Sequence, residues 1–244
     1  MAERVALITG GVRGIGRAIA VSLSKRGWSV AAAYRTSAED ALSLEMEVKE
    51  RGGRALTVRA DVSRPDGADR LVRHVESEWG RIDALVNCAG PYRRVPILEE
   101  SVEGWLAVFD NNLHPVFYLS RLAAVGMKDR GWGRIVNFGM ANAGQLAGQP
   151  YVTAYYAAKV AVLVLTKSLA KALAPHGITV NAVSPGVIDS GSIPLSEFAD
   201  LARNIPAGYA GMPQDAAEVV CFLLSDEARY VTGANIPVSG GWGV

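Results

Sequence analysis

The sequence predicts an α/β fold of the doubly wound kind, a parallel sheet of about seven strands with helices on both faces, in one domain of residues 1–244. Three observations carry this. Apolar, β-branched runs of strand length recur at residues 5–9, 28–34, 54–60, 82–87, 134–138, 178–183 and 234–238. Longer helix-patterned stretches separate them, which is the arrangement of repeated βα units with right-handed crossovers and both sheet faces covered. No Pro/Gly/Ser-rich linker, charge block, low-complexity tract or internal repeat interrupts the chain.

The first run enters Gly10-Gly11-Val12-Arg13-Gly14-Ile15-Gly16, followed by an amphipathic stretch over 17–26. Strand, glycine turn and helix in that order make an anion site: glycines admit φ > 0 and close backbone approach, and the helix N-terminus adds partial positive charge. A pyrophosphate fits there. Three residues separate Gly10 from Gly14, so the spacing is not G-x-G-x-x-G, and a plain tight turn is the competing reading.

The second run ends Tyr34-Arg35-Thr36-Ser37, where a dinucleotide site for NADH would carry an acidic residue for the ribose 2′-hydroxyl. An arginine there suits a 2′-phosphate, and Arg13 supplies a second cation, which favours NADPH. The alternative is that Arg35 is a solvated loop cation. In the helix-prone stretch over 154–174, Tyr155 and Lys159 stand four apart and project from one face. A nearby ammonium favours the phenolate and would lower the tyrosine pKa, making Tyr155 a usable acid/base, although Tyr156 beside it competes for the core-facing role. Pro115 lacks an N–H and would clash with the carbonyl of Asn111, so the helix around it should kink. Pro185, Gly186, Gly191, Pro194, Pro206, Gly208 and Gly211 punctuate residues 185–212, an excursion with a short helix expected at 195–203.

Composition narrows the partners. Twenty-five basic against 24 acidic side chains leave a net charge of +1, without the field of a nucleic-acid or anionic-membrane binder. No apolar run approaches the roughly 20 residues that span a bilayer. The first strand-like run begins at Arg4 and leaves no room for a signal peptide, so a cytoplasmic location is expected. Cys88 and Cys221 form no metal-binding or disulfide pattern and are expected as buried thiols.

Taken together, these motifs resemble the short-chain dehydrogenase/reductase family over essentially the whole length. Thr9-Gly10-x-x-x-Gly14-x-Gly16 is similar to the family's cofactor turn, Asp61-Val62 to its adenine-pocket pair and Asn87-Cys88-Ala89-Gly90 to the segment after its fourth strand. Asn112 falls at its helix asparagine, Tyr155 and Lys159 at its catalytic pair, and Pro185-Gly186 at its turn over the nicotinamide. Val231-Thr232-Gly233 and Gly240-Gly241 match its C-terminal signature. The nearest type is the 3-oxoacyl-[acyl-carrier-protein] reductase.

The resemblance implies a Rossmann-type fold and NADPH-dependent reduction of a ketone, with Tyr155 protonating the alkoxide, Lys159 on the nicotinamide ribose, and Asn112 holding a water. The cofactor would meet Gly10, Val12, Arg13, Gly14, Ile15 and Gly16, then Tyr34, Arg35 and Thr36, then Asp61 and Val62. Beyond these it would meet Asn87, Ala89, Gly90, Tyr155, Lys159, Pro185, Gly186 and Ile188. A homotetramer is implied, packed through the helices over 105–128 and 155–173, with Val160, Leu163 and Val164 as apolar surplus, and through the C-terminal strand. Arg93 and Arg94 could attract an acidic acyl carrier protein, or be solvated. Substrate choice in the family lies in the excursion, here 187–212, whose Leu195, Phe198, Leu201, Ile205 and Tyr209 form an apolar set.

One departure matters. The family's strand ends in a serine that donates to the reacting oxygen, and here the strand reads Arg134-Ile135-Val136-Asn137-Phe138-Gly139-Met140. Counting forward puts Met140 in that slot, and a thioether cannot donate. Counting back thirteen residues from Tyr155 puts Asn142 there, whose amide can donate. Losing one such donor costs about 10²–10³ in rate, roughly 2.7–4 kcal/mol. The altered slot keeps two other readings open: a pteridine reductase-like enzyme, and a non-catalytic NADPH-binding regulatory protein.

Overall fold

The computed structural model describes residues 3–190 and 203–243. Its seven strands are β1 (Val5–Thr9), β2 (Ser29–Tyr34), β3 (Ala55–Arg59), β4 (Ala84–Asn87), β5 (Gly133–Phe138), β6 (Ile178–Pro185) and β7 (Asn235–Val238). They form one parallel sheet in the order β3-β2-β1-β4-β5-β6-β7. The helices are α1 (Gly14–Ser24), α2 (Ala38–Glu50), α3 (Pro65–Trp79), α4 (Val102–Asn112), α5 (His114–Arg130), α6 (Thr153–Leu173) and α7 (Pro213–Leu224). The expected strands all form, with ends moved by no more than two residues.

Alternation along the strands divides the core into two layers. In β1, Ala6 and Ile8 face Ile19 and Leu23 of α1, Leu44 of α2 and Val220 of α7. Val5 and Leu7 face Leu71 of α3, Leu119 of α5 and Leu173 of α6. Each fully buried Leu or Ile contributes about 1.5–3 kcal/mol, so both faces are specified by the same short strand. Local chemistry sets the helix ends. Pro65 opens α3 and Gly80, at φ 75°, closes it in the left-handed region, while the Ser101 hydroxyl caps α4 by accepting from Gly104 N at 2.9 Å.

The kink expected from Pro115 is present: α4 and α5 are separate helices broken at Leu113, whose φ and ψ are −106° and −54°. The bases of the 185–212 excursion are tied together, Asp189 N donating to Gly211 O at 2.7 Å and Gly211 N to Val187 O at 3.0 Å. The helix expected at 195–203, with Leu195, Phe198 and Leu201, falls almost wholly outside the described residues. Two expectations are corrected. Cys88 is only half-buried as a residue, its thiol turned inward, whereas Cys221 is buried. Leu163, expected as inter-subunit surplus, is buried in the chain's own core with Val152, Tyr156 and Ala182, whereas Val164 is 61% exposed.

Candidate functional site

The strand order reverses between β1 and β4, whose C-terminal ends Thr9 and Asn87 are register partners. A crevice opens at such a switch point. Here it is a groove of ≈ 760 Å³ running from the glycine turn to the ends of β2 and β3.

Glycines form its floor. Gly10 and Gly14 hold φ of +63° and +50°, and a Cβ at Gly16 would lie 2.2 Å from the carbonyl oxygen of Gly10. Any side chain at position 16 would therefore force the turn off the first turn of α1. That helix starts at Gly14, three residues before the stretch that the sequence marked, because the end of the glycine turn is itself helical. The Thr9 hydroxyl accepts from both Cys88 N and Ala89 N at 3.1 Å, pinning the β4 turn against the β1 turn.

Arg13, Tyr34, Arg35, Thr36, Asp61 and Val62 line the far end. Arg35 donates to Asn111 Oδ1 at 2.9 Å, and its own carbonyl accepts from Arg59. Arg13 lies 3.7 Å from the Asp40 carboxylate of α2, which competes for it. Both pair members are well exposed, so this contact is weak and breaks easily. The Ser63 hydrogen bonds, with help from Arg35 and Arg64, hold the Asp61 carboxyl below the usual carboxylate range.

Gly90 joins this groove to the opposite end. A Cβ there would lie 2.4 Å from Asn112 Oδ1 and 3.3 Å from Lys159 Nζ, so both polar groups stand directly behind the groove wall. Asn112 reaches this point through the helix break; its Nδ2 donates to Val108 O at 3.0 Å and Pro91 O at 3.3 Å, while Oδ1 is buried without a partner. Lys159 donates to Phe138 O at 3.0 Å and lies 5.4 Å from the Tyr155 ring centroid. Burial pushes Lys159 down to about 8.

Tyr155 differs from expectation: burial, aided by Tyr92 and Cys88, pushes its phenol up rather than down. Packing of the ring against Val108, Ala154 and Ala158 removes water from it and disfavours the phenolate. Tyr156 takes the core-facing role, while Tyr155 packs against Val108, Ala154 and Ala158 and is not among the residues that line the groove. Of the remaining expected cofactor contacts, Asn87 is buried and donates to Asn137 Oδ1 at 2.9 Å, and Gly16 packs beneath the turn. Pro185, Gly186 and Ile188 are not part of the groove wall, whereas Ser190 is. Tyr92, against Tyr155, was not expected at the site, and Cys88, quoted only as part of the segment after β4, stands in the groove wall with its thiol pushed up to about 12 by burial.

At the serine slot, Met140 packs against Ala143, Val152, Tyr156 and Leu163 and is committed to that apolar cluster. Asn142 is buried two residues on, before the 3₁₀ turn Ala143–Gln145, with its Oδ1 unpartnered. The C-terminal turn covers it, since a Cβ at Gly243 would lie 3.0 Å from Asn142 Cβ. Among the described residues no His/Cys/Asp/Glu group could hold a metal ion, and no helix is long and apolar enough to cross a membrane.

Comparison with known proteins agrees with this architecture. A family model described as enoyl-(acyl carrier protein) reductase matches residues 10–243. The chain is 36% identical over 242 residues to a 3-oxoacyl-[acyl-carrier-protein] reductase of Synechocystis sp., covering 99% of this chain and 97% of the relative. It is 38% identical over 243 residues to an acetoacetyl-CoA reductase of Allochromatium vinosum, covering 98% of each. The crystal structure of a dehydrogenase/reductase from Sinorhizobium meliloti 1021 matches with a TM-score of 0.91 and 36% identity, covering 99% of this chain and 95% of that one.

Proposed function

Because the chain belongs to the short-chain dehydrogenase/reductase family, we propose that it is an NADPH-dependent reductase of a 3-oxoacyl thioester or similar ketone. The observation that carries this is the position of Gly90, which brings Lys159 and the orphaned Asn112 Oδ1 to the inner end of a groove floored by glycines.

The groove suits a dinucleotide phosphate. Gly10, Gly14 and Gly16 let the turn fold tightly onto the N-terminus of α1, since Cβ atoms there would meet Ala89, Ser190 and the Gly10 carbonyl, and that turn offers a pyrophosphate its backbone. Arg13 and Arg35 supply cations at the end where a 2′-phosphate would lie, and Asp61 and Val62 border the adenine side. When bound, the reduced nicotinamide supplies hydride. Tyr155 donates its proton to the oxygen of the reduced carbonyl, and its raised pKa keeps it protonated at neutral pH. Lys159, near its own pKa at pH 7–8, takes part in replacing that proton and holds the ribose. Asn112 Oδ1 accepts a water that leads the proton path outward. Asn142 donates its amide to the substrate oxygen in place of the family's serine. The relatives' names support 3-oxoacyl thioesters as substrates and an acyl carrier protein as partner; Arg94, beside Arg93 whose guanidinium is paired with Glu100 at 2.9 Å, supplies a cation for it. A homotetramer in the cytoplasm completes the reading.

Met140 favours a second reading, a non-catalytic NADPH-binding protein, because it fills the donor slot with a thioether. Steady-state NADPH oxidation with acetoacetyl thioester, dihydropteridine and simple diketones separates the two. Turnover of the thioester is expected; NADPH binding without turnover of any ketone would select the second reading, and turnover of dihydropteridine alone a pteridine reductase.

A further inference from the structure

We propose that Tyr156 is a positioning residue for the reduction, holding Asn142 in place through its phenol hydroxyl; this rests on the role of Asn142 proposed above. Tyr156 follows Tyr155 in α6, so about 100° of helical rotation sends the two rings to different faces. Tyr155 packs with Val108, Ala154 and Ala158, and Tyr156 is buried against Val152, Leu163 and Ala182. The Tyr156 hydroxyl donates to the main-chain carbonyl of Asn142 at 2.9 Å and accepts from Ala147 N–H at 3.0 Å. One hydroxyl thus ties both ends of the loop over 142–147.

The loop needs that tie. It contains the single turn Ala143–Gln145 and then Leu146 at φ +53°, the only non-glycine with positive φ among the described residues. A leucine persists there only when its surroundings hold it. The left-handed residue turns the next amide, that of Ala147, inward to the hydroxyl. Asn142 has no comparable side-chain tether, because its Oδ1 is buried without a partner. The main chain of residue 142 therefore sets where the carboxamide lies, and two donors fix that main chain: Gln145 N at 3.1 Å and the Tyr156 hydroxyl. Since Tyr156 is covalently next to Tyr155, the same tie sets the distance between the proton donor and the amide donor.

Tyr156→Phe keeps the ring and deletes the hydroxyl. With acetoacetyl thioester and NADPH, kcat should fall about 10-fold to 10²-fold while KM and the NADPH Kd hardly change, the cost of a misplaced group rather than a lost binding contact. In an Asn142→Ala background the same substitution should cost nothing more, since its effect runs through Asn142. Amide exchange at Ala147 should accelerate in Tyr156→Phe and not in Asn142→Ala, which reads the tie without turnover. Wild-type kcat in Tyr156→Phe, or losses that multiply in the double variant, would overturn the proposal, as would protected Ala147 exchange. Failure of the underlying reading shows separately, as Asn142→Ala retaining wild-type kcat.

Discussion

The ring of Tyr92 stands edge-on against that of Tyr155, with centroids 5.2 Å apart and planes at 79°. Tyr92 lies on the loop after β4, and its neighbours Val95 and Ile97 donate main-chain hydrogen bonds to Tyr151 and Pro150, each at 2.8 Å. The loop therefore delivers an exposed ring to the phenol that the mechanism needs, and keeps water from one side of it. Burial is the main cause of the raised Tyr155 pKa, and Tyr92 adds to it.

Tyr92→Ala should move the alkaline limb of the pH profile to lower pH. Reduction needs the neutral phenol, so activity is present below its pKa and lost as pH rises through it. Hydrating the phenol lowers that pKa. A kcat/KM profile with an unmoved alkaline limb would exclude Tyr92 from this role.

Lys159 has the opposite linkage. The unfolded lysine keeps its proton to about 10.5, and burial makes the folded one release it at about 8. Between those values the unfolded chain binds more protons, so stability rises with pH from about 8 to 10.5, and below 8 the buried charge costs about 3 kcal/mol. Losing the hydrogen bond to Phe138 O costs about 1 kcal/mol in return. Lys159→Met should therefore raise Tm at pH 7 by about 4–8 °C and flatten the slope above pH 8, while turnover is lost. A lower Tm at pH 7 contradicts this balance.

This lysine also shows where sequence reading stops. The strands were legible because continuous apolar runs such as Val5–Thr9 suit a sheet buried on both faces, and the break at Leu113 because Pro115 obeys a local steric rule. Gly10, Arg35, Asn112 and Lys159 were legible as motif positions. The environment of Tyr155 was not. Spacing put a cation four residues away, but burial by Val108 and Tyr92, residues distant in sequence, decides the direction of the shift. Asp40 beside Arg13 and the hydroxyl tie of Tyr156 likewise depend on loop conformations that no short-range rule fixes.

Cofactor choice rests on exposed cations. Among the described residues Arg35 is hydrogen-bonded to Asn111 and lies in the field of Asp61, and Arg13 makes a 3.7 Å contact with Asp40, exposed contacts that a 2′-phosphate can displace at little cost. Wild-type protein should bind NADPH more tightly than NADH, and Arg35→Asp should shrink or reverse the preference. Equal wild-type dissociation constants would end the argument.

Exposed apolar side chains on the outer helices point to self-association. Leu106 of α4, Phe117 and Val125 of α5 and Val164 of α6 remain uncovered in the single chain. Light scattering at micromolar concentration should give four times 25.9 kDa, and Val164→Glu should reduce it. A monomeric wild type would refute this.

The identity of the carbonyl donor is the sharpest question. If the Asn142 amide binds the substrate oxygen, Asn142→Ala should lower kcat by about 10²–10³ with little effect on NADPH affinity. Met140→Ser should then help little, because a side chain packed against Val152, Tyr156 and Leu163 is replaced by a hydroxyl facing the same apolar cluster. It should also cost stability, about 2–5 kcal/mol being typical for emptying a buried methionine site and less where, as here, burial is partial. If nothing replaces the serine, the outcomes invert: Asn142→Ala is nearly silent and Met140→Ser speeds turnover. Tyr155→Phe removes the proton donor under either arrangement and should abolish reduction while leaving NADPH binding intact. Initial rates of these three variants, measured at saturating NADPH, separate a relocated donor from a missing one.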